Sequence, residues 1–410
     1  MLRYLSRATL RNVKPTVHWR QTGMREISTT TRKPTLTRGH PVLYSSALLA
    51  IGIGAGYYTT QTKVKVTCEA QTEAQRYMKE AEKMEKDKRY EVLLPADTEP
   101  TAMSQRMANY VKKLQYEIVS TLAAIDGKEF VVNQYQRAGG GEGAVCVLQD
   151  GNVFEKAGVN VSVMSNKLPK AAVKQMREKP MELQGEGPYP FFVASISLVL
   201  HPHNPMVPTV HMNYRYFEIQ DEDGKPQAWW FGGGSDLTPS YLFEEDAVHF
   251  HSTLKQACQN HDPEFYPEFK KWCDRYFYLT HRGEARGIGG VFFDDLDTHH
   301  PEQIFKFVRE CGDAFLPSYV PIVMKRKDHT FTPQQKEWQQ IRRGRYVEFN
   351  LVHDRGTKFG LRGPGPKIEN ILMSLPLTAR WEYCHSPEEG GEEEKLLEIL
   401  KHPKEWVPLN

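Results

Sequence analysis

The ten residues VHMNYRYFEI, Val210 to Ile219, constrain the fold more than any other stretch of this chain. In an extended strand successive side chains point to opposite faces. His211, Asn213 and Arg215 then share one face, while Met212, Tyr214 and Tyr216 share the other. The second face suits a core. The first carries a proton carrier, an amide and a fixed cation, and burying Arg and His without partners is costly. Either neighbouring carboxylates or a bound ligand must satisfy it.

The sequence around this strand predicts its setting. Between Phe130 and Met164, β-branched and aromatic residues fall in short runs broken by AGGGEG and QDGN, the pattern of antiparallel strands joined by turns. The strand pattern resumes at 191–200, 210–219, 288–293 and 345–353. Met103, Met107, Val111, Leu114, Ile118, Leu122 and Ile125 recur at spacings of three and four, predicting an amphipathic helix that Asp126-Gly127 ends. Further helices are expected at 169–178, 241–260, 264–281, 301–315, 333–343 and 391–401. Helices and strands mix without βαβ alternation, so the expectation is one α+β domain, residues 98–410, on a mostly antiparallel sheet. With 40% hydrophobic and 25% charged residues, the 410-residue chain can bury a large core.

Residues 1–70 hold eleven Lys and Arg against Glu26 and Glu69, a net +9, which leaves −7 for the rest of a chain whose total is +2. A mildly acidic body argues against nucleic-acid binding. Residues 1–40 are rich in Arg, Ser and Thr and poor in acids, the composition of a mitochondrial transit peptide. Residues 41–62 carry no charge and are long enough to cross a bilayer as a helix. Basic then apolar segments read as a two-part signal for the mitochondrial intermembrane space. The alternative is that 41–62 is retained as an inner-membrane anchor; a peripheral association with the inner membrane is a separate expectation. Residues 63–97 read as a connector. The six cysteines form no CxxC pair, so neither a disulfide scaffold nor a zinc ribbon is expected.

Several motifs carry candidate chemistry. GGGEGA, 139–144, contains GxGxxA, but strand patterns on both sides favour a hairpin turn over a dinucleotide loop. FGGGSDLTPSYLFEED, 231–246, places Asp236 after three glycines and before Thr238-Pro239, where a helix is expected to begin. Asp236 is either a helix cap or a group serving chemistry. His201, His203 and His211, the pair His249 and His251, and DDLDTHH at 294–300 are candidate metal ligands; none has a recognised ligand spacing, and no metal site is expected. Arginines are the stronger signal. Arg282 and Arg286 lie at helical i,i+4 spacing before a glycine turn, and Arg355 follows Asp354 at an expected strand end. With Arg215 they supply planar forks for carboxylates or phosphates.

VHMNYRYFE, WWFGGGSDLTPSYLFEEDAVHFH, HRGEARGIGGVFFDDL, RRGRYVEFNLVHDRGTKFGL and ILMSLPLTARWEY together resemble the oxygen-dependent coproporphyrinogen III oxidase family, over about residues 98–408. The resemblance implies a homodimer of flat antiparallel sheets covered by helices on both faces, with contacts near 146–155 and 345–364. It implies coproporphyrinogen III and O2 as substrates, no metal or organic cofactor, and conversion of two propionates to vinyl groups with release of CO2 and H2O2. His211 is similar to the family's proton donor. Asn213, Tyr214 and Arg215 are similar to substrate-contacting residues, with Ser197 a further contact. Asp236, Arg282, Arg286, Asp354 and Arg355 occupy the remaining polar positions, and Pro364, Gly365 and Pro366 part of the wall. A carboxylate, Asp354 or Asp236, would take a pyrrole proton; which of the two does so stays open. The rival readings are a metal-dependent oxygenase and a membrane-tethered tetrapyrrole-binding module.

Overall fold

The computed structural model describes residues 72–409, apart from 97–99, 138–139, 171, 174–176, 178, 180 and 363–366. The signal segments 1–40 and 41–62 and residues Pro364, Gly365 and Pro366 lie outside the described residues, as does half of the expected 169–178 helix. Seven strands form one sheet in the order β1-β2-β3-β4-β5-β6-β9, with every neighbouring pair antiparallel. They are β1 (Val131–Gln136), β2 (Gly141–Gln149), β3 (Phe154–Leu168), β4 (Tyr189–Pro202), β5 (Thr209–Gln220), β6 (Pro226–Thr238) and β9 (Gly289–Leu296). The short strands β7 (Tyr278–Leu279) and β8 (Glu284–Ala285) make a separate hairpin. The α+β class and the antiparallel sheet are as the pattern predicts.

One face of the sheet is dry. Helix α2 (Met103–Asp126) buries Met107, Val111, Leu114, Ile118 and Leu122, and they share one core with Val161 of β3, Ile196 and Leu198 of β4, and Met212, Tyr214 and Tyr216 of β5. Each such aliphatic side chain contributes about 1.5–3 kcal/mol on burial. Gly127, at φ 76°, ends the helix in the left-handed conformation that glycine adopts without strain. The Asp126 carboxylate then accepts the backbone N–H of Asn152, Val153 and Phe154, tying the helix end to the β2–β3 turn.

Four expectations change. Residues 63–97 are not wholly a connector: helix α1 (72–82) and a 3₁₀ turn at Lys88–Leu93 place Ala81, Tyr90 and Leu93 in the core, so the packed body begins well before 98. The glycine-rich 231–238 run is not a loop leading into a helix but the end of β6, and α3 (Glu244–Gln259) starts later. The expected 264–281 helix stops early, as α4 (Phe265–Tyr276), because 278–285 forms the β7–β8 hairpin; Arg282 and Arg286 are therefore not on a helix. Lastly, 345–353 is not a strand. Helices α5 (Pro301–Asp313) and α6 (Phe315–Arg326) precede α7 (Pro333–Glu348), which begins with a capping box of Thr332 and Gln335 and runs into a π-helical turn at Phe349–His353. Arg342, Tyr346 and Phe349, spaced at helical intervals, are buried there, and helical packing overrides the local strand propensity. Helices α8 (Arg355–Arg362), α9 (Ile368–Leu372) and α10 (Glu392–Lys401) complete the chain.

Candidate active site

The face of the sheet opposite α2 is polar at its middle. Strand register aligns Tyr135, Gly143, Ser162, Ser195, Arg215 and Gly232 in one row, Asn160, Ser197, Asn213, Gly234 and Phe292 in the next, and Gly158, Val199, His211, Asp236 and Gly290 in a third. Residues directly opposite one another across strands share a face. Asn160, Ser162, Ser195, Ser197, His211, Asn213 and Arg215 are all partly open to solvent, while their sequence neighbours in β4 and β5 are buried. These side chains form an accessible polar floor. At one end of it Phe217 stacks on Phe191 and Trp230. At the other, Phe277, Phe292 and Phe349 pack together.

Two charged clusters stand on the floor. In the first, His211 Nδ1 lies 2.8 Å from Asp236 Oδ1, and Arg286 Nη2 donates to Asp236 Oδ2 at 2.6 Å. Burial pushes the Asp236 carboxyl up, but the Arg286 charge and the bond from His211 outweigh it and hold Asp236 below the ordinary carboxylate range. An ionised carboxylate only accepts, so His211 Nδ1 carries the proton and the tautomer is fixed. The Arg286 guanidinium is enclosed by Phe277, Tyr346 and Phe349, 4.2, 4.5 and 4.7 Å from their ring centres. Such stacking lets a fully enclosed cation persist. Asp236 is therefore no helix cap.

In the second cluster, Arg215 donates to Asn213 Oδ1 at 2.9 Å and pairs with Asp294 at 2.7 Å, while Arg355 reaches the other oxygen of Asp294 at 3.2 Å. The Arg215–Asp294 pair crosses β6 over Gly232, where a Cβ would stand 2.6 Å from Asp294 Oδ1 and 2.7 Å from Arg215 Nη2. Glycine at that position is what lets the ion pair pass. Two arginines meet on one carboxylate at this side of the floor. Asp354 closes the π-helical turn, its N–H donating to Phe349 O at 2.9 Å, and its Oδ2 accepts the Thr357 N–H at the start of α8 at 2.6 Å. Tyr276 donates to Asp354 Oδ1 at 3.2 Å and stacks flat on Phe292 at 4.0 Å, which brings Asp354 to the edge of the floor. Burial and the Asp354 charge push the Tyr276 phenol up to about 12.

The structure thus brings together His211, Asn213, Arg215, Asp236, Arg286 and Ser197, with Asp354 and Arg355 on the segment that overhangs them. Two placements differ from expectation. Tyr214 is on the α2 face, fully buried, with its hydroxyl 3.0 Å from Ser235 Oγ, so period-2 alternation removes it from the floor. Arg282 sits in the β7–β8 turn with its fork closed on Glu348, at 2.9 and 2.6 Å, alongside His281 and Trp381. Its charge is satisfied inside the protein. Asp294, Tyr276 and Asn160 were missed; the acidic DDLD run drew attention to Asp294 only as a metal ligand. Among the described residues no group of three metal-ligating side chains converges. His201 is bonded to Ser374 O, His249 to Pro317 O, and His251 to Tyr266 and Ile288 O. A cleft of about 440 Å³ between Leu93, Lys112, Gln115 and Val161 lies on the opposite side of the sheet.

Residues 106–406 match the family described as coproporphyrinogen III oxidase. The chain belongs to this family. It is 58% identical to the mitochondrial oxygen-dependent coproporphyrinogen-III oxidase of Rattus norvegicus over 310 residues, 75% of this chain and 70% of the relative. It is 57% identical to that of Homo sapiens, covering 75% and 68%, and 55% identical over 307 residues to the oxygen-dependent enzyme of Drosophila melanogaster, covering 74% and 78%.

Proposed function

We propose that the polar floor binds coproporphyrinogen III and that the chain converts two of its propionates to vinyl groups, with O2 as acceptor, in heme biosynthesis. The carrying observation is the accessible row of serines and amides on the floor, with Arg215 among them reaching Asn213 and Asp294. For each arm the balance is propionate carboxylate plus O2 plus one proton giving vinyl, CO2 and H2O2. The β-hydrogen leaves with two electrons to O2, and the C–C pair freed by CO2 becomes the double bond. The four pyrroles are electron-rich enough to pass electrons to O2 directly, so the reading requires no metal or organic cofactor. Asp354 takes a pyrrole N–H proton, and His211, acting as the imidazolium that Asp236 holds through Nδ1, gives its Nε2 proton and is left as the Nδ1–H tautomer. Anaerobic addition of coproporphyrinogen to metal-stripped protein, followed by O2, tests this: CO2 and H2O2 should appear together and only with O2. Activity that needs one added metal would favour the oxygenase reading instead.

The mammalian relatives are named mitochondrial, and the chain is assigned to the mitochondrion on that likeness. The basic then apolar N-terminal segments support the intermembrane space as its compartment; sequencing the mature N-terminus from fractionated mitochondria checks it. A homodimer through 146–155 and 345–364 is supported by Leu351, Val352 and Leu361, which are 44%, 51% and 38% exposed. Apolar side chains at such exposure suit a covered surface. Val352→Asp should shift the mass in solution from dimer to monomer.

A further inference from the structure

The polar floor has a second cationic edge. Arg137 follows β1, and its Nη2 lies 3.3 Å from both Tyr135 Oη and Ser162 Oγ, with the guanidinium over the Tyr135 ring at 5.2 Å. Among the described residues no carboxylate pairs with it, its side-chain partners being Tyr135 and Ser162, and its Nε is buried without a hydrogen-bond partner. Its contacts are hydroxyls and a ring face, none of which cancels a full charge. A half-enclosed cation without a counter-ion is costly unless a ligand supplies one.

Its position is set by register. Tyr135, Ser162, Ser195 and Arg215 share one row on one face. Tyr135 lies across Gly143, where a Cβ would stand 2.3 Å from its hydroxyl, and so directs Arg137 inward over β3. Strands neighbour one another at about 4.8 Å, so the β3 and β5 backbones beneath Arg137 and Arg215 are roughly 10 Å apart. Between them stand the small side chains of Ser162 and Ser195, with Asn160, Ser197 and Asn213 one row on and Met164 and Val193 in the row on the other side. Asn160 Oδ1 is likewise buried and unpartnered. Arg215 and Arg355 bound the floor on the β6–β9 side, and Arg137 bounds it on the β1–β3 side.

We propose that Arg137 holds a second, non-reacting propionate of the tetrapyrrole, at the edge of the floor opposite Arg215, and so fixes the macrocycle's rotation over the sheet. This rests on the reading of the floor as the porphyrinogen site. A flat substrate with carboxylates around its rim is held in one orientation only when arms on different sides are bound, and planar forks suit that task.

The test compares the full-length wild type with Arg137→Gln and Arg137→Lys. Initial rates of CO2 release should show KM for coproporphyrinogen III raised about tenfold or more in Arg137→Gln with kcat within about threefold, the scale of one lost charged hydrogen bond. Arg137→Lys should recover part of the loss. Fluorescence-quench titration adds a readout that a merely structural role would not move. Coproporphyrin III should bind more weakly to Arg137→Gln, while its uncharged tetraamide binds both proteins equally. An unchanged KM, or equal weakening for the charged and uncharged porphyrins, overturns the proposal. If Arg137→Gln does not fold, Arg137→Lys decides alone: a threefold or larger rise in KM supports the assignment, and an unchanged KM removes it. A wild type that binds both porphyrins but releases no CO2 would overturn the reading of the reaction, whereas binding of neither would overturn Arg137 together with the site.

Discussion

Asp236 and Asp354 are two carboxylates of one site in contrasting settings. Asp236 is on a central strand, wholly buried and clamped between His211 and Arg286. Asp354 is partly open, at the junction of a π-helical turn and α8, touched by a phenol and a backbone N–H. A clamped, ionised carboxylate orients its neighbours well but surrenders its basicity to them. One at a helix start, partly open to solvent and touched by a phenol, can be reached from the floor. On the proposed reading this difference gives Asp236 the positioning role and Asp354 the chemistry.

The largest expected effect breaks or confirms this contrast. Asp354→Asn keeps the size and the capping acceptor, because Asn caps as well as Asp. Its melting temperature should stay close to wild type while turnover falls about 10²-fold or more, the scale of acid–base catalysis. Asp236→Asn instead leaves the Arg286 charge uncompensated inside an aromatic cage. It should be destabilised by about 3–5 kcal/mol, as for other broken buried pairs. Chemical denaturation and steady-state rates of the two variants, measured side by side, would reverse the assignment if Asp236→Asn were the stable, inactive one.

A smaller effect separates two arginines. Arg215→Lys keeps charge but loses the fork that spans Asn213 and Asp294, and activity should drop about tenfold or more. Arg282, engaged with Glu348 in the β7–β8 turn, should tolerate Lys with activity within about threefold. Equal losses in both would bring Arg282 back among the substrate contacts.

The smallest effect is on acid stability. Burial pushes Glu348 up, but the bonds from Arg282, His281 and Trp381 prevail and bring it from 4.5 to about 2. A carboxylate with a lowered folded pKa adds stability that is complete above its ordinary pKa and is lost as pH falls through the folded value. Unfolding free energy should therefore decline from about pH 4.5 towards pH 2. Glu348→Gln should flatten that decline, with the folded fraction followed by circular dichroism. Asp236, also lowered, should sharpen the loss in the same acid range.

Local pattern was enough for much of this protein. The period-2 alternation of Val210–Ile219 fixed the grouping of His211, Asn213 and Arg215 on one face, because side-chain direction in a strand is set by the backbone alone, while Tyr214, which the family resemblance counted as a substrate contact, lies on the other face. The stripe from Met103 to Ile125 fixed α2 and its Gly127 stop for the same reason. Tertiary structure decided the rest. The FGGG run is a central strand because the close approach of Tyr214 and the Arg215–Asp294 pair leaves no room for a Cβ at 232 and 233. The 345–353 segment is helical because Tyr346 and Phe349 are needed around Arg286. Asp294 joins Arg215 and Arg355, 79 and 61 residues away in the chain, and no local pattern encodes that meeting. Which charges are spent on one another and which are left for a substrate is a property of the folded sheet, since it depends on distances that only long-range pairing sets.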